Sequence, residues 1–222
     1  MSAPALLVTA KAPVPGLAKT RLGASIGMAA AADVAAAALL DTLAAGEKFE
    51  RRYVAMTGDV MAAARSHELR EALRGWRVFA QCEGGFDQRL AHAHAWVAND
   101  AQCPVIQIGM DTPQVDAAML QAVSDQISEG AEVVLGPASD GGWWVLGLAD
   151  GHQASALIGV AMSSSMTFEH TRQALGVERV VLTQVLRDVD TIHDAHEVAK
   201  AVPQSRFAQA LAQSALVAGG VR

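Results

Sequence analysis

An α/β fold with a mostly parallel sheet is predicted for this chain, and three observations predict it. Short apolar runs alternate with longer helical patterns, and that alternation implies βαβ units. The run Ala5-Leu6-Leu7-Val8-Thr9-Ala10 is almost uninterrupted, as a strand covered on both faces should be. No repeat, linker or charge block divides the 222 residues, so 1–222 is read as a single domain with one sizeable core.

Taken in order, strands are expected at Ala5–Thr9, Arg52–Thr57, Trp76–Ala80, Val105–Gly109, Glu132–Leu135, Trp143–Gly147 and Arg179–Leu182. Each is a short apolar or β-branched run closed by charge, glycine or proline. Helices are expected at Ser25–Ala45, Asp59–Leu73, Gln88–Val97, Ala117–Ser128 and Thr167–Leu175. A last helical region covers His193–Lys200 and resumes after Pro203 towards Val217. The Ala-rich run Ala29–Leu40 is small-sided and carries Asp33, so it reads as a packed helix and not a membrane span. The tail Gly219–Arg222 should fray.

Composition narrows the function. Hydrophobic residues make up 51% and charged ones 18%, which fits a globular enzyme or binding protein. A net charge of −6 argues against nucleic acid as the main partner. Any anionic ligand must therefore meet a local cluster of cations or a metal. Cys82 and Cys103 lack zinc-site spacing and are expected to be free thiols in a reducing cytoplasm. No secretion signal or membrane partner is expected.

In open α/β sheets ligands sit beyond the carboxyl ends of the strands. Five loops there carry chemistry. The first, Lys11–Leu22, brings Lys11, Lys19 and Arg21 together with Pro13, Pro15 and Gly16, and reads as a phosphate-binding loop. It is not a Walker A loop, because Gly16 lies only three positions before Lys19-Thr20. An ordinary surface loop is the alternative. Gln81–Leu90 follows the third strand, and Asp111-Thr112-Pro113 the fourth. Asp111 suits Mg²⁺ held between protein and phosphates, although an Asp before a helix is as readily a cap.

Ser139-Asp140-Gly141-Gly142 is a turn that either meets a ligand or simply closes a hairpin. The adjacent Trp143-Trp144 could give one ring to a ligand and one to the core. Asp188 and Asp190 alternate, so an extended segment points both to one side. Thr191 and Asp194 read as a helix start, which leaves Asp190 unexplained. No Ser-His-Asp or Cys-His arrangement can be read from spacing.

Together, Lys11-x-Pro13-x-Pro15-Gly16-x-x-Lys19-Thr20-Arg21-Leu22, Ile108–Pro113, Gly136-Pro137-Ala138-x-Asp140-Gly141-Gly142 and Asp188–Thr191 resemble the domain-of-unknown-function family 2064. That family is a branch of the nucleotide-diphospho-sugar transferase superfamily, and is similar to 2-phospholactate guanylyltransferase. The resemblance implies a Rossmann-like three-layer sandwich of the GT-A type and a divalent cofactor, Mg²⁺ or Mn²⁺. It implies nucleotide binding by Lys11, Pro15, Gly16, Lys19, Thr20, Arg21 and Gln81, with Lys19, Arg21 and Asp111 catalytic. Asp111 and Asp190 would hold the metal; Arg89, Asp140, Gly141 and Gly142 would line the acceptor side. Met110 stands where the family pattern has a small polar residue.

The expected activity is transfer from an activated nucleotide, either a nucleoside triphosphate or a nucleotide sugar, to a small-molecule acceptor. Glycosyl and nucleotidyl transfer both remain open, and a non-catalytic nucleotide-binding module is the alternative. The expected partners are thus a nucleotide and a small acceptor, with a homodimer as an option.

Overall fold

The computed structural model describes residues 2–176 and 180–219. Its frame is a seven-stranded sheet: β1 (Ala5–Lys11), β2 (Arg52–Thr57), β3 (Arg77–Ala80), β4 (Val105–Gly109), β5 (Val133–Pro137), β6 (Trp143–Leu148) and β7 (Val180–Leu182). The order is β3-β2-β1-β4-β6-β5-β7. β6 pairs antiparallel with β4 and β5, and every other pairing is parallel. The predicted sheet is therefore found, with ends shifted by one or two residues. Arg179, placed at the start of the last strand, lies outside the described residues, as does the tail beyond Gly219.

Alternation along β1 builds the two cores. Leu6, Val8 and Ala10 face one layer, where Leu39, Leu40 and Leu43 of α2 (Met28–Ala45) meet Leu69 of α3 (Ser66–Ala72) and Val123 and Ile127 of α5 (Ala117–Ser128). Ala5 and Leu7 face the other, against Ala93 and Val97 of α4 (Phe86–Ala101). Each fully buried leucine contributes roughly 1.5–3 kcal/mol. Further along that layer, Leu90 packs with Leu135, Leu146, Leu157 of the 3₁₀ segment Gly151–Leu157, and Leu175 of α6 (Thr167–Leu175).

Two predicted helices are broken. Ser25–Ala45 is in fact α1 (Thr20–Ile26) and α2, because Gly27 sits at φ 89°, which a helix cannot continue through. Asp59–Leu73 is a 3₁₀ turn, Val60–Ala62, and then α3, separated at Arg65 with φ 50°. Arg65 is held there by a two-pronged pair with Asp33 at 2.7 and 2.8 Å. Hydrophobic pattern sees neither break, since both depend on backbone sign and a distant carboxylate.

A satellite core lies outside α2. Leu22 of α1 and Val34 of α2 meet Val189, Val198 of α7 (Ile192–Ala201) and Phe207 of α8 (Arg206–Gly219). α2 has the length and composition to cross a membrane, yet 67% of it is buried inside this fold.

Candidate active site

The loaded loops meet in one cleft at the carboxyl edge of the sheet. Its inner lobe, about 360 Å³, is floored by Thr9, Gln107 and Gly109 and walled by Gln81, Phe86, Arg89 and Trp143. Its outer lobe, about 600 Å³, is lined by Lys11, Lys19, Thr20, Arg21 and Ser163–Ser165. Asp111, Asp140 and Asp190 border both.

The first loop is fixed by main-chain bonds. Ala12 N–H donates to Thr57, and Ala64 N–H donates to the Pro13 carbonyl. Lys19 adopts the left-handed conformation at φ 49° and turns the chain into α1. Its side chain, only 11% exposed, lies 3.0 Å from Asp111 Oδ1 and 3.0 Å from Asp190 Oδ1. Arg21 reaches Asp190 Oδ2 at 3.3 Å. Burial works to lower the Lys19 pKa, but the Asp111 and Asp190 charges and hydrogen bonds outweigh it and raise it. The ammonium therefore stays charged.

The acid-bearing segments are stitched together. Val189 N–H donates to the Asp111 carbonyl at 2.9 Å, and Thr112 Oγ1 donates to Asp188 at 2.6 Å. Burial pushes the Asp188 carboxyl up to about 6 against the Thr112 bond, and the Asp111 and Asp140 charges push the same way. Thr191 and Asp194 form the capping box of α7, and Asp116 caps α5. Asp111 and Asp190 are thus free of capping duty. Met110 earns its place as well: its buried sulfur accepts from Lys11 N–H at 3.2 Å, joining the ends of β1 and β4.

Among the described residues, no three His, Cys, Asp or Glu side chains gather as a metal cluster. Asp111 and Asp190 still fit a hard cation, because their oxygens converge on one positive centre, the Lys19 ammonium. Mg²⁺ characteristically takes one or two carboxylates and completes its shell with phosphates and water.

At the inner lobe, Gln81 Nε2 donates to the Ala10 and Ala55 carbonyls, both at 2.9 Å, so its own amide is spent on the ends of β1 and β2. Its Oε1 accepts from Arg89 Nη1 at 3.1 Å. Arg89 also lies 5.2 Å from the Phe86 ring. Both tryptophans border the lobe; Trp144 is the buried one and donates to the Gln184 carbonyl.

Several of the expected residues take part in other contacts. Pro15 and Gly16 line neither lobe; they shape the loop from behind. Lys19, expected on phosphate, has its ammonium engaged by two carboxylates. Gln81 lines the inner lobe with its two amide protons on the main chain and its oxygen holding Arg89. Gly142 and Asp140 line the inner lobe, but Gly141 supports it from outside. At φ 90° it brings its main chain against Ser165, leaving no space for a Cβ, and its carbonyl accepts from Phe168 N–H at 2.8 Å.

Sequence reasoning missed Ser163–Ser165, in the loop before α6: Ser163 and Ser164 border both lobes and Ser165 the outer one. The serine triplet before Met166-Thr167 was the available signal, but no strand precedes it. It also missed Thr9 and Gln107, which look like ordinary interior residues of strands.

The fold is shared with solved structures. A protein from Desulfovibrio desulfuricans G20 assigned as a nucleotide-diphospho-sugar transferase superposes with a TM-score of 0.82 at 23% identity, covering 97% of this chain and 96% of that one. 4-Diphosphocytidyl-2C-methyl-D-erythritol synthase gives 0.58 at 12%, covering 90% and 100%. CMP:2-keto-3-deoxy-manno-octonic acid synthetase, complexed with CTP, gives 0.51 at 11%, covering 91% and 99%. The fold is therefore that of the nucleotide-diphospho-sugar transferases. No curated protein matches the chain. Residues 39–164 match the family model described as "Uncharacterized protein conserved in bacteria (DUF2064)", and the chain belongs to that family.

Proposed function

We propose that this chain is a metal-dependent transferase acting on an activated nucleotide, with nucleotidyl transfer as the favoured reaction. The carrying observation is the outer lobe, lined by Lys11, Lys19 and Arg21, in which Lys19 joins two carboxylates from different loops at the carboxyl edge of the sheet. Asp111, Asp140, Asp190 and Asp194 line the same lobe and offset those cations, so a triphosphate there needs the added charge of a metal on a chain whose net charge is −6.

In this reading Lys11 and Arg21 bind the phosphate chain, and Lys19 keeps Asp111 and Asp190 together and balanced. Asp111 and Asp190 would hold Mg²⁺ or Mn²⁺, which when bound supplies neutralisation of phosphate charge. Asp140 borders the acceptor, and Arg89, oriented by Gln81, offers it a positive group. An acceptor phosphate oxygen attacks the α-phosphorus; the bond from that phosphorus to the bridging oxygen breaks, and pyrophosphate leaves. The cytidylyl-transferring and CMP-forming names of the structural neighbours favour this reaction. Glycosyl transfer is the second reading, favoured by the name of the Desulfovibrio protein. The free thiols Cys82 and Cys103 agree with a reducing cytoplasm.

Calorimetric titration with ATP, GTP, CTP, UTP, UDP-glucose and GDP-mannose, each with and without Mg²⁺ or Mn²⁺, tests the reading. Metal-dependent binding of one triphosphate, with nucleotide sugars weak, is expected. Preference for a nucleotide sugar would instead establish glycosyl transfer. Once turnover is assigned, Asp111→Ala should abolish its metal-dependent part; unchanged activity with full metal dependence removes Asp111 from the mechanism.

A further inference from the structure

The floor of the inner lobe carries a polar chain that the reading above leaves unused. Thr9, Gln107 and His94 are all buried, and they come from β1, β4 and α4. Gln107 Nε2 donates to Thr9 Oγ1 at 2.9 Å, and Gln107 Oε1 lies 3.0 Å from His94 Nδ1. An amide oxygen only accepts, so His94 must carry its proton on Nδ1. Since Thr9 Oγ1 already accepts from Gln107, its own proton is left for a further partner.

Neither neighbouring strand sets a large side chain opposite that hydroxyl. Thr9 sits opposite Ala55 on β2 and Gly109 on β4, and a Cβ at Gly109 would meet only the Asp111 main-chain nitrogen, at 4.0 Å. Thr9 and Gln107 both line the lobe. Beside them, Arg89 has Nη1 engaged by Gln81 while Nη2 has no partner among the described residues. This part of the lobe thus offers donors, and Phe86 and Trp143 line it as well.

We propose that Thr9 is a substrate-binding residue: its hydroxyl proton is turned into the inner lobe towards a carbonyl oxygen or unprotonated ring nitrogen of the nucleotide, with Gln107 and His94 as positioning residues. The order is His94 Nδ1–H to Gln107, Gln107 N–H to Thr9, and Thr9 O–H to the ligand. A cationic imidazole could also donate from Nδ1, but complete burial holds His94 neutral and so leaves a single tautomer. The inference rests on the cleft being a nucleotide site.

Two measurements test it. Two-bond ¹H–¹⁵N correlation spectra of the wild-type protein at pH 7 should show His94 as the neutral Nδ1–H tautomer. The Nε2–H tautomer would mean that the Gln107 amide is reversed and consumes the Thr9 proton, and the proposal falls. Titrations with ATP, GTP, CTP and UTP in Mg²⁺ should then find the bound nucleotide weakened about tenfold by Thr9→Val, the loss expected for one hydrogen bond. Thr9→Ser, which keeps the hydroxyl, should stay within about twofold. Equal affinity in wild type and a folded Thr9→Val overturns this inference alone. Failure of the wild type to bind any of the nucleotides, triphosphates and nucleotide sugars alike, overturns the proposed function and this inference with it.

Discussion

The two lobes of the cleft are made in opposite ways. The outer lobe is built on loops from formal charges: one ammonium between two carboxylates that are each more than 40% exposed. The inner lobe is built on strands and α4 from neutral hydrogen bonds, with Gln107 and His94 completely buried. Charge on loops can rearrange around an incoming ion, and it responds to salt. Neutral bonds on strands hold a fixed geometry, and they respond to protons instead. The difference would suit the proposed nucleotide, with a flexible phosphate chain at one end and a rigid ring at the other.

The sharpest break comes at Lys19. Lys19→Met leaves Asp111 and Asp190 facing each other with only the exposed Arg21 beside Asp190 as counter-charge. The ratio kcat/KM for the assigned nucleotide should fall about 10³-fold, near 4 kcal/mol. Stability should fall far less, about 1 kcal/mol, because water screens both carboxylates. A variant with wild-type kcat/KM would show that the outer lobe works without its central cation.

The inner lobe should show its character in acid. Burial lowers the His94 pKa from 6.5 to about 4, against the opposing Gln107 bond. The unfolded chain takes up this proton near pH 6.5 and the folded one only near 4. The stability tied to neutral His94 is therefore complete above pH 6.5 and is lost as pH falls towards 4, in all roughly 3 kcal/mol. Urea unfolding from pH 7.5 to 4 checks this, and His94→Gln should remove that part of the slope. An identical slope in the variant would assign it to carboxylates elsewhere.

The smallest effect belongs to Arg21, whose side chain is 77% exposed. Arg21→Ala should change stability by less than about 0.5 kcal/mol. It should weaken nucleotide binding a few-fold in low salt, and the difference should shrink as ionic strength rises. A salt-independent loss would mean that Arg21 makes a desolvated contact, making the outer lobe more like the inner one.

Much of this was legible in the sequence, because apolar runs locate strands and charges directly after them locate an edge. Asp190 was singled out because Thr191 and Asp194 already accounted for a helix start, and the structure gives each that duty. What escaped had no local signature. Gly27 and Arg65 interrupt helices through positive φ, which apolar spacing does not report. Gln81 looks like a ligand group until its amide is seen spent on two strand ends. Thr9 and Gln107 sit within apolar runs, and only the register of β1 on β4 puts Thr9 opposite Gly109 and Gln107 two pairs away, on the same face.

The satellite core of α1, α7 and α8 has a consequence for how the protein opens. Leu22 and Val189, one residue past Arg21 and one before Asp190, are both anchored there. α1 and the C-terminal helices therefore form one cooperative unit around the outer lobe of the cleft. Native-state hydrogen exchange should find their amides opening together, in a step smaller than global unfolding. Any event that loosens the C-terminal helices would take apart the Lys19–Asp190 pair while the sheet beneath stays folded.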